Sequence, residues 1–153
     1  GIDLSKSASR LIKKKLKKIE DRNKIFNYDF VKFNYKKYIK KTFSIYSRFT
    51  WHTINKKDEI IFLKKISSLT NLQYIFIETR SDKDDLFGKG RKMSKNEYIT
   101  DHYRRFINKN ELIKNLKKNF KILYLKESKG FSKFKNEDPC LIRIIAINKL
   151  MKT

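Results

Sequence analysis

The sequence is poor in the residues that build disulfide frameworks, metal centres and flexible linkers. Among 153 residues it has one cysteine, Cys140, one proline and four glycines. A single cysteine cannot form an intrachain disulfide or a four-cysteine zinc site, and two histidines cannot build a His-rich metal site unaided. No stretch rich in proline, glycine or serine marks a linker. We therefore expect one domain over residues 1–153 and no bound metal.

Long apolar segments are also missing. No apolar run approaches the roughly 18 residues that a helix needs to cross a bilayer, and no secretory signal precedes the first helical pattern. Together with the single cysteine, this predicts a chain without a membrane span in the reducing cytoplasm. The oligomeric state is left open by the sequence.

Charge is strongly one-sided, with 39 basic and 16 acidic residues and a formal net charge of +23. Such an excess is typical of nucleic-acid-binding proteins. However, lysine, isoleucine, asparagine, phenylalanine and tyrosine, all with AT-rich codons, make up more than half of the chain. Codon bias alone would produce this charge, and the lysines are scattered over every predicted element. We therefore expect no nucleic-acid partner, and keep a non-enzymatic basic module that binds nucleic acid or an anionic surface as the alternative function.

Apolar spacing predicts the helices. Apolar residues recur at helical spacing from Leu4 to Ile19, and the basic face of this helix is interpreted as solvated. Asn55 and Asn108 stand where an N-cap would begin two further helices, the first ending near residue 68. Residues 31–41 are interpreted as a loop or a short helix.

Apolar runs predict five strands, at residues 25–30, 42–49, 72–79, 120–125 and 140–147. The alternation of strands with helices favours an open α/β sheet. No helix separates the last two strands, so they are predicted to form an antiparallel hairpin at one edge. Residues 80–100 form an unusually long connection, and such connections are commonly functional.

Polar residues follow several strands at the edge where open α/β sheets bind ligands. Asp3 precedes the first helix, and Asp29 lies at the end of the strand at residues 25–30. The strands at residues 42–49 and 72–79 end in Tyr46-Ser47-Arg48-Phe49 and Glu78-Thr79-Arg80. A carboxylate at such a place can accept hydrogen bonds from ribose hydroxyls, or it can simply cap a helix; the residues leave both roles open.

In order and spacing, three segments resemble motifs of class I S-adenosylmethionine-dependent methyltransferases. They are Gly1-Ile2-Asp3-Leu4-Ser5, Asn27-Tyr28-Asp29-Phe30 and residues 43–52, although Ser44 departs from the family's Phe-Asp-x-x-Tyr. The segment Thr100-Asp101-His102-Tyr103-Arg104-Arg105-Phe106 looks like the substrate-side insertion of small bacterial members, either of the tellurite-resistance type or linked to surface glycans.

The resemblance implies a Rossmann-like methyltransferase sheet with helices on both faces, the closing hairpin, and a substrate-side loop at about residues 80–106. No Gly-x-Gly motif stands between a strand and a helix, so the family's glycine-rich loop is not found. Gly88 and Gly90 lie in the substrate-side loop and do not replace it. We therefore expect an N-terminally truncated domain that lacks the first strand and most of the second. This chain alone is then expected to bind its cofactor weakly or not at all and to be inactive.

The resemblance also assigns roles to residues. It implies that S-adenosylmethionine is the cofactor, with Asp3 at the ribose and Asp29 near the adenine amino group. Further candidates for cofactor binding are Leu4, Phe30, Ser47 and Arg48. Candidates for binding a small, anionic acceptor are Glu78, Arg80, Tyr103, Arg104 and Arg105.

Two histidines are candidate catalytic residues. His102 is a candidate general base, because histidine commonly plays that role near neutral pH, but it can equally be a surface loop residue. His52 is placed to approach the transferred methyl group or to orient its loop by a hydrogen bond. Because Arg104 and Arg105 are adjacent, at most one of them is expected to enter a shared pocket. An alternative role for Glu78 and Arg80 is an ion pair with each other at the end of their strand.

Overall fold

A computed structural model describes residues 1–16 and 24–151 of the chain. These fall into two compact units, Gly1–Tyr38 and Ile39–Thr153. The end of the first predicted helix, including Ile19, lies outside the described residues. The assignment of the whole chain to one domain stays a prediction.

The first unit is built on a short parallel strand pair. Strand β1 (Ile2–Asp3) pairs with β2 (Phe26–Asn27), and helix α1 (Lys6–Leu16) contacts both strands. Ser5 caps α1, because its hydroxyl accepts a hydrogen bond from the Ala8 backbone N–H at 3.2 Å. Helix α2 (Tyr35–Tyr38) is the short helix allowed for residues 31–41.

Strand β2 is shorter than the predicted strand at residues 25–30. Only two residue pairs are in register with β1, and the chain then turns at Asp29, whose Oδ1 accepts a hydrogen bond from the Val31 backbone N–H at 2.8 Å. The ring of Tyr28, which the prediction places in the strand, instead lies 6.2 Å from that of Phe33, which follows the turn. The ring of buried Phe33 lies 4.9 Å from that of Phe26 and 5.1 Å from that of Tyr38.

The second unit contains one large sheet, one small sheet and three helices. Its elements in chain order are β3 (Phe43–Arg48), a 3-10 helix (Trp51–Thr53), α3 (Lys56–Ser67), β4 (Leu72–Arg80), β5 (Arg91–Ser94), β6 (Glu97–Ile99), β7 (Tyr103–Arg105), α4 (Lys109–Lys117), β8 (Phe120–Ser128) and β9 (Leu141–Asn148).

The large sheet has the strand order β3-β4-β9-β8. Strand β3 runs parallel to β4, while β9 is antiparallel to both β4 and β8. The four strands predicted at residues 42–49, 72–79, 120–125 and 140–147 therefore share one sheet, and the last two are antiparallel neighbours. Both predictions are confirmed.

One face of this sheet forms the core. Ile75, Ile77, Ile144 and Ala146 alternate with outward residues and are almost completely buried. Their neighbours on the opposite face, such as Phe76, are half-buried. Helices α3 and α4 contact each other. In the middle of β4, Ile75 and Ile77 thus face the core, while Tyr74 and Phe76 on the opposite face are partly exposed.

The predicted N-caps of α3 and α4 are both present. The Asn55 side chain accepts a hydrogen bond from the Asp58 backbone N–H at 2.8 Å, and the Asn108 side chain accepts one from the Glu111 N–H at 3.1 Å. Each cap satisfies a backbone donor that has no partner within the helix.

The sequence predicts a long loop after β4, but the structure shows strands in this connection. It contains the antiparallel sheet β5-β6-β7. Its strands are only three or four residues long and mostly polar, so they lack the apolar alternation by which strands are recognised. Gly90 has a φ of +84°, and a Cβ there would collide with the Ile99 carbonyl.

Among the helices of the described residues, none is long and apolar enough to cross a membrane.

Candidate active site

Three charged residues on adjacent strands line up at the carboxyl end of β4. Arg48 of β3 and Arg143 of β9 lie in register with Glu78 on either side. The Arg48 Nε donates to Glu78 Oε1 at 2.9 Å, and the Arg143 Nε donates to Oε2. Glu78 is almost completely buried, so the two guanidinium groups compensate its charge.

Arg80 points to different partners. Its Nη1 donates to both carboxylate oxygens of Asp84 at 3.0 and 3.1 Å, and its Nη2 donates to Glu137 at 3.0 Å. The alternative prediction of a Glu78–Arg80 ion pair is therefore wrong. The reason is that each side chain has closer partners, across the strands for Glu78 and in the following turns for Arg80.

The chain makes a constrained turn after β3. Phe49 has a φ of 54°, a left-handed conformation that is uncommon for a bulky residue. Its backbone N–H donates to the Glu78 carbonyl at 2.9 Å, and the Arg48 guanidinium lies 5.2 Å from its ring centre. The hydroxyls of Ser47 and Thr50 are hydrogen-bonded across the same turn. The 3-10 helix that contains His52 begins directly after this turn.

His52 is buried in this 3-10 helix, which contacts both β4 and β7. Burial, together with the nearby positive charges of Arg80 and Arg104, lowers the pKa of its imidazole to about 3. Its Nδ1 is buried without a hydrogen-bond partner among the described residues. The ring is therefore neutral at physiological pH and has an unused polar atom.

Arg105 is held inside the unit. Its Nη2 lies 2.5 Å from Glu59 Oε2, and its Nε donates to the Ile54 carbonyl at 2.8 Å. The indole N–H of Trp51 donates to the same Glu59 oxygen at 3.1 Å. Glu59 therefore ties α3 to β7 and to the 3-10 helix. A direct role of Arg105 in acceptor binding stays a prediction.

Arg104 and His102 converge on Asp101 in the turn between β6 and β7. His102 Nδ1 lies 2.8 Å from Asp101 Oδ2, and Arg104 Nη1 donates to Asp101 Oδ1 at 2.6 Å. His102 is exposed, whereas the side chain of Arg104 is mostly buried. Because adjacent strand residues point to opposite faces, Arg104 and Arg105 have different partners.

Tyr103 is the first residue of β7 and lies between His102 and Arg104 in the sequence. Burial and the nearby Glu97 carboxylate raise the pKa of its phenol above the usual range. The side chain therefore remains a neutral phenol, able to donate or accept a hydrogen bond.

The cofactor candidates of the first unit surround the carboxyl ends of its two parallel strands. Asp3 ends β1, and its Oδ1 accepts a hydrogen bond from the Ser5 backbone N–H at 2.7 Å. Asp29 comes two residues after β2 and lies 3.8 Å from the Lys32 ammonium. Leu4 is exposed beside Asp3, and the Phe30 carbonyl accepts a hydrogen bond from the Tyr35 hydroxyl at 3.0 Å.

This arrangement suits a nucleoside. Each carboxylate uses its Oδ1 for a local backbone N–H, and no described residue donates a hydrogen bond to Asp3 Oδ2. An ionised carboxylate only accepts hydrogen bonds, which fits ribose hydroxyls and an adenine amino group. The carboxylate acceptors of the first unit are therefore compatible with S-adenosylmethionine.

Sequence reasoning missed Glu59, Asp101 and Arg143. Glu59 looked like an ordinary acidic residue in the first turn of a helix. Arg143 did carry a signal, because it is the one charged residue in a strand that is apolar from Leu141 to Ile147 apart from it. Asp101 directly precedes His102 in the segment of residues 100–106, but its position in the sequence alone indicates no role.

Comparison with known proteins bears on the fold. A S-adenosylmethionine-dependent methyltransferase from Methanosarcina mazei matches with a TM-score of 0.74 at 13% identity, over 99% of this chain and 82% of that chain. Another from Clostridium acetobutylicum matches with a TM-score of 0.67 at 15% identity, over 96% and 73%. TehB from Haemophilus influenzae matches with a TM-score of 0.62 at 14% identity, over 97% and 49%.

No protein-family model and no curated protein matches the sequence. At identities this low, the structural matches establish the fold. The chain has the Rossmann-like α/β fold of S-adenosylmethionine-dependent methyltransferases, as the resemblance implied.

Proposed function

We propose that this protein is a cytoplasmic S-adenosylmethionine-dependent methyltransferase that acts on a small, anionic acceptor. The observation that carries the proposal is the placement of Asp3 and Asp29 after the parallel strands of a methyltransferase fold. The cytoplasm suits Cys140, which is a buried free thiol.

The cofactor supplies, when bound, an electrophilic methyl group for the acceptor. Asp3 accepts hydrogen bonds from the ribose hydroxyls, and Asp29 accepts one from the adenine amino group. Leu4 and Phe30 provide apolar contact for the adenine ring. Ser47 and Arg48 are assigned to cofactor binding as well.

Cationic and polar groups of the second unit hold the acceptor. Arg80 and Arg104 supply the positive charge that suits a carboxylate or phosphate. Each is paired with acidic side chains, so the acceptor anion competes with these partners. Tyr103 contributes a hydrogen-bonding phenol, and Glu78 keeps Arg48 in position.

His102 accepts the proton of the acceptor. Its exposed imidazole is accessible to a hydroxyl group, whose oxygen becomes a better nucleophile as it loses its proton. His52 is neutral and contributes a hydrogen bond rather than a charge. Most of the rate enhancement comes from positioning the two reactants.

A titration with S-adenosylhomocysteine tests the cofactor assignment. We expect backbone ¹H–¹⁵N chemical shifts near Asp3 and Asp29 to change, a signal that reports even weak binding. The variant Asp3→Asn should reduce the apparent affinity by about tenfold, since it removes a charged hydrogen-bond acceptor.

The matched control is Asp85→Asn, which removes an exposed carboxylate of the second unit that pairs with Lys129. It should leave the titration unchanged. Shifts that are the same in Asp3→Asn and in the unaltered protein would overturn the assignment. Salt-sensitive binding to oligonucleotides of any sequence, without cofactor binding, would favour the basic-module function instead.

A further inference from the structure

The turn between β6 and β7 contains a second functional group beside His102. We propose that Asp101 is a positioning residue that fixes the tautomer of His102, so that its Nε2 is the proton acceptor. The role in catalysis rests on the proposed methyltransferase function, whereas the effect on the tautomer does not.

The hydrogen bond itself defines the tautomer. His102 Nδ1 and Asp101 Oδ2 are 2.8 Å apart, which is a hydrogen-bond distance. An ionised carboxylate has no proton to donate. The proton of the neutral imidazole must therefore be on Nδ1, and the lone pair is on Nε2, the ring nitrogen that points away from Asp101.

Asp101 is held in place and kept ionised by its other neighbours. Its Oδ1 accepts hydrogen bonds from Thr100 Oγ1 at 2.7 Å and from Arg104 Nη1 at 2.6 Å. Arg104 also donates to Thr100. These hydrogen bonds, Arg104 first, lower the pKa of Asp101 well below its usual range.

The backbone explains how adjacent residues can make this contact. Ile99 of β6 lies in register with Tyr103 of β7, so only three residues connect the strands. The Thr100 N–H donates to the His102 carbonyl at 3.3 Å and closes the turn. Within this closed turn the Asp101 and His102 side chains come within hydrogen-bond distance of each other.

The arrangement is suited to proton transfer. When Nε2 takes the proton of the acceptor hydroxyl, the imidazole becomes positively charged beside the Asp101 carboxylate. That carboxylate then stabilises the new charge by an ionic hydrogen bond. Asp101 thus favours proton transfer to Nε2 without touching the acceptor.

The test is ¹⁵N NMR of the imidazole nitrogens on the intact chain, at a pH where His102 is neutral. The unaltered protein should show mainly the Nδ1–H tautomer. Asp101→Asn should lower the ratio of Nδ1–H to Nε2–H by about three- to tenfold, and Asp101→Glu should restore part of it. Asp85→Asn is the control and should have no effect.

An unchanged tautomer ratio in Asp101→Asn would overturn the proposal, even if the protein binds the cofactor. Conversely, a shifted ratio in a protein whose chemical shifts ignore S-adenosylhomocysteine would leave Asp101 as the positioning residue and overturn the proposed cofactor binding by this chain. The two proposals therefore fail separately.

Discussion

Glu59 and Arg105 form an ion pair with 2.5 Å between Oε2 and Nη2, although their side chains are only 1% and 6% exposed. The two residues are 46 positions apart in the sequence and connect α3 to β7. Burying two charges is costly, so such a pair persists only when its hydrogen bonds are complete. Here Trp51, Lys56 and Asn115 supply the remaining donors to Glu59.

Removing this carboxylate should strongly destabilise the second unit. Glu59→Gln leaves the Arg105 guanidinium buried without its counter-charge, and we expect a loss of about 3–5 kcal/mol in the free energy of unfolding. The control Glu111→Gln removes a half-exposed carboxylate that also pairs with Lys56 and should cost about 0–1 kcal/mol. Urea unfolding measures both, and equal losses would contradict the prediction.

Gly90 is required by the fold of the small sheet, whereas Gly88 is not. Both have positive φ angles, but only at Gly90 would a Cβ meet the Ile99 backbone. Gly88→Ala should therefore cost about 1 kcal/mol, from the backbone conformation alone. Gly90→Ala should cost clearly more, because β5 must move away from β6. Thermal unfolding of the two variants compares them, and the reverse order would disprove the explanation.

Stability should depend on the protonation of His52. Its pKa is about 3 in the folded protein and 6.5 for the unperturbed side chain, so below pH 6.5 the unfolded state binds more protons. Stability is therefore lost progressively as the pH falls from 6.5 towards 3. In His52→Gln, denaturant titrations at several pH values should show a smaller loss over this range. An identical pH dependence would indicate that other groups cause it.

Glu78 should matter more than the nearby exposed carboxylate of Glu137. Glu78→Gln removes the charge between Arg48 and Arg143, and we expect a loss of about 1.5–3 kcal/mol. Glu137 pairs with Arg80, but its side chain is 66% exposed, so Glu137→Gln should cost about 0–1 kcal/mol. Chemical unfolding of both variants tests the ranking, which fails if Glu137 proves the more important residue.

Local patterns in the sequence predicted the main sheet and the caps well. Asn55 and Asn108 act on backbone groups three residues away, so their role can be recognised without knowing the fold. The hairpin of β8 and β9 followed from the missing helix between two apolar runs. Strands β5 to β7 could not be recognised from the sequence, because they are short and mostly polar and because their pairing depends on Gly90.

The site was predictable only in part. The positions of Asp3 and Arg48 at strand ends were predicted correctly, because topology alone places them, whereas their role in the site stays a prediction. The partners of Arg105 could not be identified, because Glu59 is distant in sequence and no local signal connects the two. Asp101 was visible beside His102, but only the turn geometry reveals that their side chains meet.

Phe49, in its left-handed conformation after β3, has a consequence for protein engineering. A glycine there would relieve backbone strain of the order of 1 kcal/mol. It would also remove the aromatic ring that packs beside His52 at 5.9 Å and under the Arg48 guanidinium. Phe49 is therefore a position where relief of backbone strain and a well-ordered site are competing goals, and a substitution chosen for backbone geometry alone would loosen the contacts around His52.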